Sequence, residues 1–316
     1  MDSNSGLVVR RELVQYRQID MNKLLDRFVD FLDVSQASVH TYSFGVRRFI
    51  EFLNEQSINM PTRETVLMYK KALTDKHCKP STIALYLSAL RRFFAWLESE
   101  GMYPNITAGV KSPKQDTGHK KDALSSTQLK SIMQSMNRRT LQGKRDYAMF
   151  TLIAACGLRT VEVIRANVGD IREVYGEYCL YVQGKGRNTK SEFVKLAQPV
   201  IEAIREYLAE RGNVDDEAPL FASCSKRNCG GRLTTRTVSG VCKNAMKSAG
   251  YNSTRLTAHS LRHSAVTIAL MTGASLQEVQ AFARHSNLNT TMIYSHEVNR
   301  LKSQVENKIA GAIFAA

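Results

Sequence analysis

The chain contains 316 residues, of which 43% are hydrophobic and 23% are charged. That length and balance predict two folded domains and argue against general disorder. The formal net charge of +15 favours a polyanion such as nucleic acid as the partner, and no membrane. No apolar run approaches the ~20 residues that cross a bilayer, and the first residues lack a signal peptide's apolar stretch, so we expect a cytoplasmic protein.

The positive charge is concentrated in the second part of the chain. Residues 1–110 contain 14 basic and 12 acidic residues, whereas residues 111–316 contain 30 basic and 17 acidic residues. The cysteines follow no disulfide or zinc spacing, so we predict no metal site. They are Cys78, Cys156, Cys179, Cys224, Cys229 and Cys242.

The first hundred residues predict four helices, because apolar residues recur at steps of three and four. Three of the four helices have clear apolar stripes. These stripes are Leu24, Leu25, Phe28, Phe31 and Leu32; Tyr42, Val46, Phe49, Ile50 and Leu53; and Ile83, Leu87, Leu90, Phe94 and Leu97. Another helix is predicted from Pro61, in its first turn, toward Lys76. We therefore predict a helical domain over 21–106, preceded by an extension over 1–20.

The apolar periodicity stops in the segment VKSPKQDTGHKKD, so we predict a linker over 107–122 and a second domain over 123–316. Helical patterns resume at Ser126. Residues 171–196 alternate and are rich in Val, Tyr and Phe, which predicts three short antiparallel strands with turns at YGE and GKGRN. One further amphipathic helix is expected after Arg300, through Leu301, Val305 and Ile309. The predicted fold is mainly α with one small antiparallel sheet.

Several polar residues of the second domain form a pattern only when they are taken together. Singly, Arg159 in CGLRTVE, Lys185 in GKG and Tyr294 each have an ordinary structural explanation. In HSLRH, however, His259 and Arg262 are three residues apart at a helix start, where two donors could bind one phosphate.

Two further histidines accompany that pair. His263 shares the turn of HSLRH and is predicted to pack inside the domain. His285 follows downstream, nine residues before Tyr294 in NTTMIYSH. The second predicted domain therefore contains, in chain order, an arginine, a lysine, a histidine, an arginine, a histidine and a tyrosine.

These motifs resemble those of the tyrosine recombinases, the family of phage integrases, Xer recombinases, Cre and conjugative-transposon integrases. The similarity runs from about Leu24 onward and is carried by GLRTVEV, QGKG and HSLRHSAVTIALMTGASLQEVQAFARHSNLNTTMIYSH. It implies an N-terminal helical core-binding domain and a larger catalytic domain with a small sheet, which together clamp duplex DNA.

The resemblance also implies roles for the polar residues. Arg159 and Arg262 would stabilise the negative charge that grows on a phosphodiester under attack by Tyr294. Lys185, or alternatively Lys190, would protonate the leaving 5′ oxygen. No cofactor and no metal is expected.

Three other residues would assist this set. His285 would donate a hydrogen bond to a phosphate oxygen, and His259 would accept the tyrosine proton. Glu162 would orient the arginine or a histidine.

The chain departs from the family pattern before the second histidine. Ala283 and Arg284 stand where members commonly carry Leu-Gly, so Arg284 either adds a phosphate contact or points to solvent. Candidate DNA contacts in the first domain are Arg48, Ser81, Ser88 and Arg92, on helix faces that either enter the major groove or are simply solvated.

The resemblance implies site-specific recombination through a 3′-phosphotyrosyl intermediate and a Holliday junction, by a tetramer on two double-stranded DNA sites in the bacterial cytoplasm, at the nucleoid. We favour the integrase of a mobile element, with DNA-bending or directionality proteins as possible accessories. The alternatives are Xer-like chromosome or plasmid dimer resolution, a type IB topoisomerase and a DNA-binding regulator. We expect the C-terminal helix to dock on a neighbouring protomer; packing on its own domain is the alternative.

Overall fold

The computed structural model describes residues 21–114, 122–184 and 186–314. The predicted N-terminal extension and Lys185 therefore lie outside the described residues. The chain divides into two compact units, Met1–Thr117 and Gly118–Ala316. Within the described ranges, no helix is both long and apolar enough to cross a membrane.

Over residues 21–114, the first unit is a bundle of four helices, as predicted. They are α1 (Met21–Phe31), α2 (Gln36–Glu55), α3 (Arg63–Asp75) and α4 (Pro80–Ser99). Their apolar stripes form one core, in which Phe28, Phe49 and Phe94 are buried. A Cβ at Gly45 would lie 2.7 Å from the Cβ of Ala89, so this glycine lets α2 and α4 approach closely.

Two details of the predicted bundle are wrong. Phe31 is 51% exposed, because it ends α1 at the rim of the core, where it faces the Trp96 ring at 5.8 Å. Pro61 precedes α3 instead of lying in its first turn, since Thr62 is the N-cap residue.

The first unit extends beyond residue 106. Ile106 and Val110 are buried in its core, and Arg91 donates a hydrogen bond to the Val110 carbonyl oxygen at 2.8 Å. The predicted linker, 107–122, therefore begins within this unit. Over the described residues 107–114, the lack of apolar periodicity reflects irregular backbone and not detachment from the core.

The second unit surrounds a three-stranded antiparallel sheet with helices, which confirms the predicted fold class. The strands are β1 (Ile171–Val174), β2 (Glu177–Val182) and β3 (Glu192–Lys195), paired in that order. Tyr175 and Gly176 connect β1 to β2 with φ of 51° and 79°, the left-handed values that a tight hairpin turn requires.

The helices of this unit hold the polar residues singled out above. They are α5 (Ser126–Ser135), α6 (Leu141–Cys156), α7 (Thr160–Arg165), α8 (Gln198–Arg211), α9 (Thr235–Ser248), α10 (Ala258–Met271), α11 (Leu276–Ala283), α12 (Leu288–Lys302) and α13 (Val305–Phe314). Helix α6 is buried along most of its length and packs against α8 and α10. The core thus fixes the position where α6 ends and where α10 begins.

The single helix predicted after Arg300 is wrong. Leu301 belongs to α12, and α13 is a separate helix that starts at Val305. Ser303 interrupts the helix with an extended backbone, and its hydroxyl accepts a hydrogen bond from the Val305 N–H at 3.3 Å. Apolar residues four apart continue in phase across this break, so periodicity alone did not reveal it.

Candidate functional site

Two helix C-termini converge on one buried arginine. Helix α6 ends at Gly157 and α11 ends at Arg284, both in the left-handed conformation with φ of 62° and 51°. The last carbonyl groups of a helix have no partner within it and form the negative end of its dipole. Here Arg262 of α10 donates to the carbonyl oxygens of Gly157 and Ala283, one from each helix end.

The charged form of Arg262 is destabilised by its surroundings. Its side chain is 2% exposed. Burial, followed by the charges of Arg159 and Arg284, lowers its pKa to about 10. It is therefore still a cation at neutral pH, and the two carbonyl groups compensate part of the cost of burying it.

Arg159, the N-cap residue of α7, lies near Arg262. Its Nη1 is 2.8 Å from Glu162 Oε1, and its backbone N–H donates to Glu162 Oε2 at 2.7 Å. Its Nη2 donates to the Arg284 carbonyl oxygen at 3.1 Å. With 29% of its side chain exposed, Arg159 remains accessible to a ligand.

Glu162 is fully buried between two guanidinium groups. Besides Arg159, it accepts a hydrogen bond from Arg284 Nη2 at 2.9 Å. Burial alone raises the pKa of Glu162, but the charges and hydrogen bonds of Arg284 and Arg159 lower it below its usual value. The carboxylate is therefore ionised and connects the two arginines.

Arg284 occupies neither of the positions predicted for it. Its side chain is 5% exposed and does not point to solvent, although the residue forms part of the wall of the cavity described below. The guanidinium donates to the carbonyl oxygens of Phe282 at 2.8 Å and Gly157 at 3.3 Å, as well as to Glu162. The left-handed backbone turns this side chain back toward its own helix end, where carbonyl oxygens and a carboxylate attract it. The contacts of Arg284 in this structure are internal, and its phosphate contact stays a prediction.

The two predicted histidines lie on either side of the arginines. His285 Nδ1 is 2.9 Å from Thr291 Oγ1. Burial, followed by the positive charges of Arg262, Arg159 and Arg284, lowers the pKa of His285 to about 4. His259 is exposed on the first turn of α10 and lines a cavity of about 420 Å³ together with Arg159.

Tyr294 packs in the core of the second unit, within electrostatic range of the arginines. It is 3% exposed. Its ring lies 4.7 Å from the His263 ring in an edge contact and 6.2 Å from the His285 ring in a stacked one. Burial raises the pKa of Tyr294, and the charge of Arg262 offsets this only in part. The phenol is protonated here and scarcely accessible.

An open cavity of about 730 Å³ borders these residues. Its walls include Arg159, His285, Gly184 and Arg187. Gly184 directly precedes Lys185 in the chain, so the cavity borders the predicted hairpin position. Lys190, the alternative to Lys185, is instead paired with Asp170, with Nζ and Oδ2 2.5 Å apart.

The candidate DNA-contact residues of the first unit lie at its surface. Ser88 and Arg92 are exposed on α4, and Ser81 is partly exposed at its start. The Arg92 guanidinium lies 5.6 Å from the centre of the Tyr42 ring. Arg48 pairs with Glu51 on the same face of α2 at 2.7 Å. Nothing in these contacts prevents an approaching DNA backbone from reaching them.

The sequence did not predict that the carbonyl oxygens of Gly157 and Ala283 would bind Arg262. It also did not predict the contact between the His263 and Tyr294 rings. The glycine after the apolar helix, in CGLR, was an available signal for a left-handed helix end at Gly157. His263 was correctly predicted to be packed, and its Nδ1 is 3.3 Å from Thr267 Oγ1, but its contact with Tyr294 has no local signal. Within the described ranges, no three His, Cys, Asp or Glu side chains are arranged to hold a metal ion.

Comparison with known proteins assigns the chain to a family. Residues 122–300 match the model of the phage integrase family, and residues 25–101 match that of the phage integrase N-terminal SAM-like domain. Tyrosine recombinase XerC of Chromobacterium violaceum is 30% identical over 281 residues, which cover 87% of this chain and 90% of that protein. Tyrosine recombinase XerD of Listeria innocua is 26% identical and covers 87% and 94%.

Solved structures share the fold at lower identity. The XerH site-specific recombinase bound to palindromic difH substrate, in a post-cleavage complex, is 22% identical with a TM-score of 0.70, covering 92% of this chain and 84% of that one. The Tn1549 transposon integrase in complex with transposon right end DNA is 15% identical with a TM-score of 0.68, covering 94% and 100%. Together with the family models, the sequence relatives place the chain in the phage integrase family of tyrosine recombinases, enzymes that break and rejoin DNA strands.

The low pKa of His285 leads to a measurable pH dependence. A folded pKa of about 4, against 6.5 for an ordinary histidine, means that folding disfavours the protonated ring. Its contribution to stability is therefore complete above pH 6.5 and is lost as the pH falls toward 4. In a carbon-13 NMR titration, with the resonance assigned through His285→Gln, we expect no ring titration between about pH 8 and pH 5.5. A titration midpoint near that of the urea-unfolded chain would contradict the geometry.

Proposed function

We propose that this chain is a site-specific recombinase in which Tyr294 attacks a DNA phosphodiester. The phenolic oxygen forms a bond to phosphorus, the bond to the 5′ oxygen breaks, and a 3′-phosphotyrosyl adduct and a free 5′ hydroxyl result. Attack by that hydroxyl, or by one from a second duplex, reverses the step. The observation that carries this proposal is a pair of arginines, Arg159 and Arg262, anchored to helix ends beside Tyr294.

The anchored arginines suit the charge that develops during attack. The nonbridging oxygens of the phosphate gain negative charge, and fixed guanidinium groups stabilise it without reorganising. Both remain cations, and Arg159 is accessible from the cavity. Because these groups supply the positive charge, we expect cleavage to proceed in excess EDTA.

The histidines would act at the same phosphate and at the nucleophile. When Nδ1 of neutral His285 accepts a hydrogen bond from the Thr291 hydroxyl, the ring carries its proton on Nε2. The Nε2–H group can then donate a hydrogen bond to a phosphate oxygen. His259, exposed beside Arg159, would accept the Tyr294 proton as attack begins. Glu162 would keep Arg159 oriented through its two contacts with that residue.

Lys185 is the preferred general acid for the leaving 5′ oxygen. Its neighbours Gly184 and Arg187 line the cavity beside Arg159. The Lys190 ammonium is paired with the nearly buried Asp170 carboxylate, so moving it to the phosphate would break that pair. The contrast between the two lysines favours Lys185.

Tyr294 must become accessible before it can react. A side chain that is 3% exposed cannot contact a phosphorus atom of duplex DNA. Helix α12 or the packing around it therefore has to shift when the DNA complex assembles. The state described here would be a resting state with its arginine site already formed.

Assembly offers a way to drive that shift. Helix α13 exposes Val305, Ile309, Ile313 and Phe314, an apolar face that would be a liability if it stayed uncovered. We propose that a second copy covers it, in a groove of about 570 Å³ between α5, α6 and α10 that includes Leu129, Met133 and Ile268. A head-to-tail contact of this kind gives a closed ring when the rotation between successive copies closes, and a tetramer on two duplexes would require such closure.

The first unit would supply further DNA contacts as a core-binding domain over 21–106, with the catalytic domain over 123–316. Its exposed residues Ser81, Ser88 and Arg92 on α4, and Arg48 on α2, are the proposed contacts. Residues 111–316 carry 30 basic and 17 acidic residues, a net charge of +13, against +2 for residues 1–110, which favours the second unit as the main phosphate-binding surface.

The biological setting has two candidates, both in the bacterial cytoplasm. Integration of a mobile element remains the interpretation drawn from the sequence. The sequence matches to the relatives named XerC and XerD extend over 90% and 94% of those proteins. These matches favour dimer resolution as the second candidate. Inverted repeats or element ends beside the gene would support integration, whereas a single chromosomal site would support resolution.

The proposed nucleophile is tested by trapping. A duplex nicked close to the cleavage point loses its leaving strand after attack, so the covalent adduct accumulates. In EDTA, we expect the unaltered protein to form this adduct and Tyr294→Phe to bind the duplex without forming it. Tyr175→Phe, at a fully exposed turn, is the matched control and should react normally. Adduct formation by Tyr294→Phe would refute the assignment.

The general acid is tested by changing the leaving atom. We expect Lys185→Ala to slow cleavage of an ordinary phosphodiester by about 100-fold or more, the usual contribution of a general acid. A 5′-bridging phosphorothiolate, whose sulfur leaves without a proton, should restore most of that rate. Lys190→Ala should show a small defect with no rescue. Rescue confined to the Lys190 variant would reverse the two roles.

The role of α13 is tested by removing it at the helix break. Ending the chain after Ser303 deletes α13 and leaves α12 whole. We expect a folded monomer that binds one site but has lost cooperative assembly on paired sites, as measured by gel shift and analytical ultracentrifugation. Ile309→Ser should reproduce the defect, and Asn307→Ser should not. Unimpaired pairing by the truncated chain would show that α13 has no role in assembly.

A further inference from the structure

Arg284 combines two unfavourable features at one position. Its backbone has φ of 51° and ψ of 48°, a conformation that side chains other than glycine adopt with difficulty. Three other residues with positive φ, Ser57, His77 and Tyr175, are exposed, whereas the Arg284 side chain is almost completely buried. A strained backbone that carries a buried charge persists only when the surrounding contacts determine it strongly.

The contacts of Arg284 involve supports of both arginines. Its guanidinium binds the Glu162 carboxylate and shares the Gly157 carbonyl oxygen with Arg262. Its own carbonyl oxygen accepts a hydrogen bond from Arg159 Nη2 at 3.1 Å. Backbone and side chain of this one residue thus act on both arginines.

Charge gives the guanidinium of Arg284 a specific consequence. Arg159 and Glu162 alone form a pair with no net charge, which attracts a phosphate weakly. With Arg284 on the other side of the carboxylate, the three groups together carry one positive charge. Arg159 and Arg284 both line the cavity, and Arg159 has the more exposed side chain, at 29% against 5%. The buried carboxylate can then orient Arg159 without cancelling its field at the phosphate.

We propose that Arg284 is a positioning residue for the cleavage reaction, an internal counterion of Glu162 that keeps Arg159 oriented and electrostatically available to the scissile phosphate. This inference rests on the proposed function. It differs from the contact first predicted for Arg284, since the residue would act through Glu162 and Arg159 and would not touch DNA.

Arg284→Gly is the sharpest variant, because glycine fits the left-handed backbone and removes only the side chain. We expect unchanged or higher thermal stability, DNA affinity within about threefold of the unaltered protein, and single-turnover cleavage at saturating DNA slowed at least tenfold. Tyr175→Gly makes the same change at the same φ of 51° on an exposed turn and should cleave normally.

The pH profile separates positioning from simple packing. Without Arg284, Glu162 loses a partner that lowers its pKa, so it should take up a proton at higher pH and release Arg159. Cleavage by Arg284→Gly should therefore decline from a higher pH on the acid side than cleavage by the unaltered protein. Arg284→Lys retains the charge and should keep the original profile with part of the rate.

A second pair of variants covers the case in which the glycine variant does not fold. Arg284→Gln and Arg284→Lys both fill the site, and only lysine keeps the charge, so the glutamine variant should show the shifted profile. Combining Arg284→Gln with Glu162→Gln leaves no carboxyl group to titrate at position 162, so the acid-side decline that is shifted in Arg284→Gln should be absent from the double variant.

The outcomes distinguish this inference from the proposed function. If the unaltered protein forms no covalent adduct, the proposed function itself fails. If it forms the adduct, and the charge-removing variants cleave at the original rate with the original pH profile, Arg284 is not a positioning residue. Slow cleavage with an unshifted profile, and the same acid-side decline in the double variant, would reduce its role to packing.

Discussion

The catalytic half of the structure depends on the meeting of two helix C-termini with three arginines. Helices α6 and α11 end within hydrogen-bonding distance of the same guanidinium group, and their terminal carbonyl groups are acceptors that the helices themselves cannot satisfy. The arginines need acceptors because they are largely buried, and the helix ends need donors. The carbonyl groups at the helix ends therefore accept hydrogen bonds from the arginines. Among the described contacts of Arg159, Arg262 and Arg284, Glu162 is the carboxylate. The result is a cluster with net positive charge whose orientation is fixed by the backbone, which is the property that a phosphate-activating site needs.

The proposed nucleophile, Tyr294, differs from the arginines in its accessibility. Arg159 and Arg262 are already in place, but Tyr294 is packed against His263 and His285 in a small apolar core of its own. The helix that carries Tyr294 is followed, after a two-residue break, by α13 with its uncovered apolar face. A neighbour that binds α13 would therefore act on the element next to the nucleophile. Under the proposed function, such a division would keep an isolated protomer from cutting DNA while its arginine site stays formed.

Much of the architecture was predictable because it rests on local pattern. The apolar steps of Val46, Phe49 and Leu53 predicted α2, and the alternation around Tyr178 with the YGE turn predicted the hairpin. The features that failed depend on tertiary contacts. Whether Arg284 faces outward is decided by the left-handed end of α11 and by Glu162, which lies 122 residues away in the chain. The burial of Tyr294 results from three helices packing together, and no spacing within its own helix encodes it.

The most direct test is a structure of the protein bound to an uncleaved duplex carrying its own recombination site. The scissile phosphate should lie within hydrogen-bonding distance of Arg159 and Arg262 while Arg262 still donates to the carbonyl oxygens of Gly157 and Ala283 and Arg284 still binds Glu162. Tyr294 should have left its pocket beside His263. A phosphate bound elsewhere, or bound by arginines that have abandoned the helix ends, would contradict a preformed site.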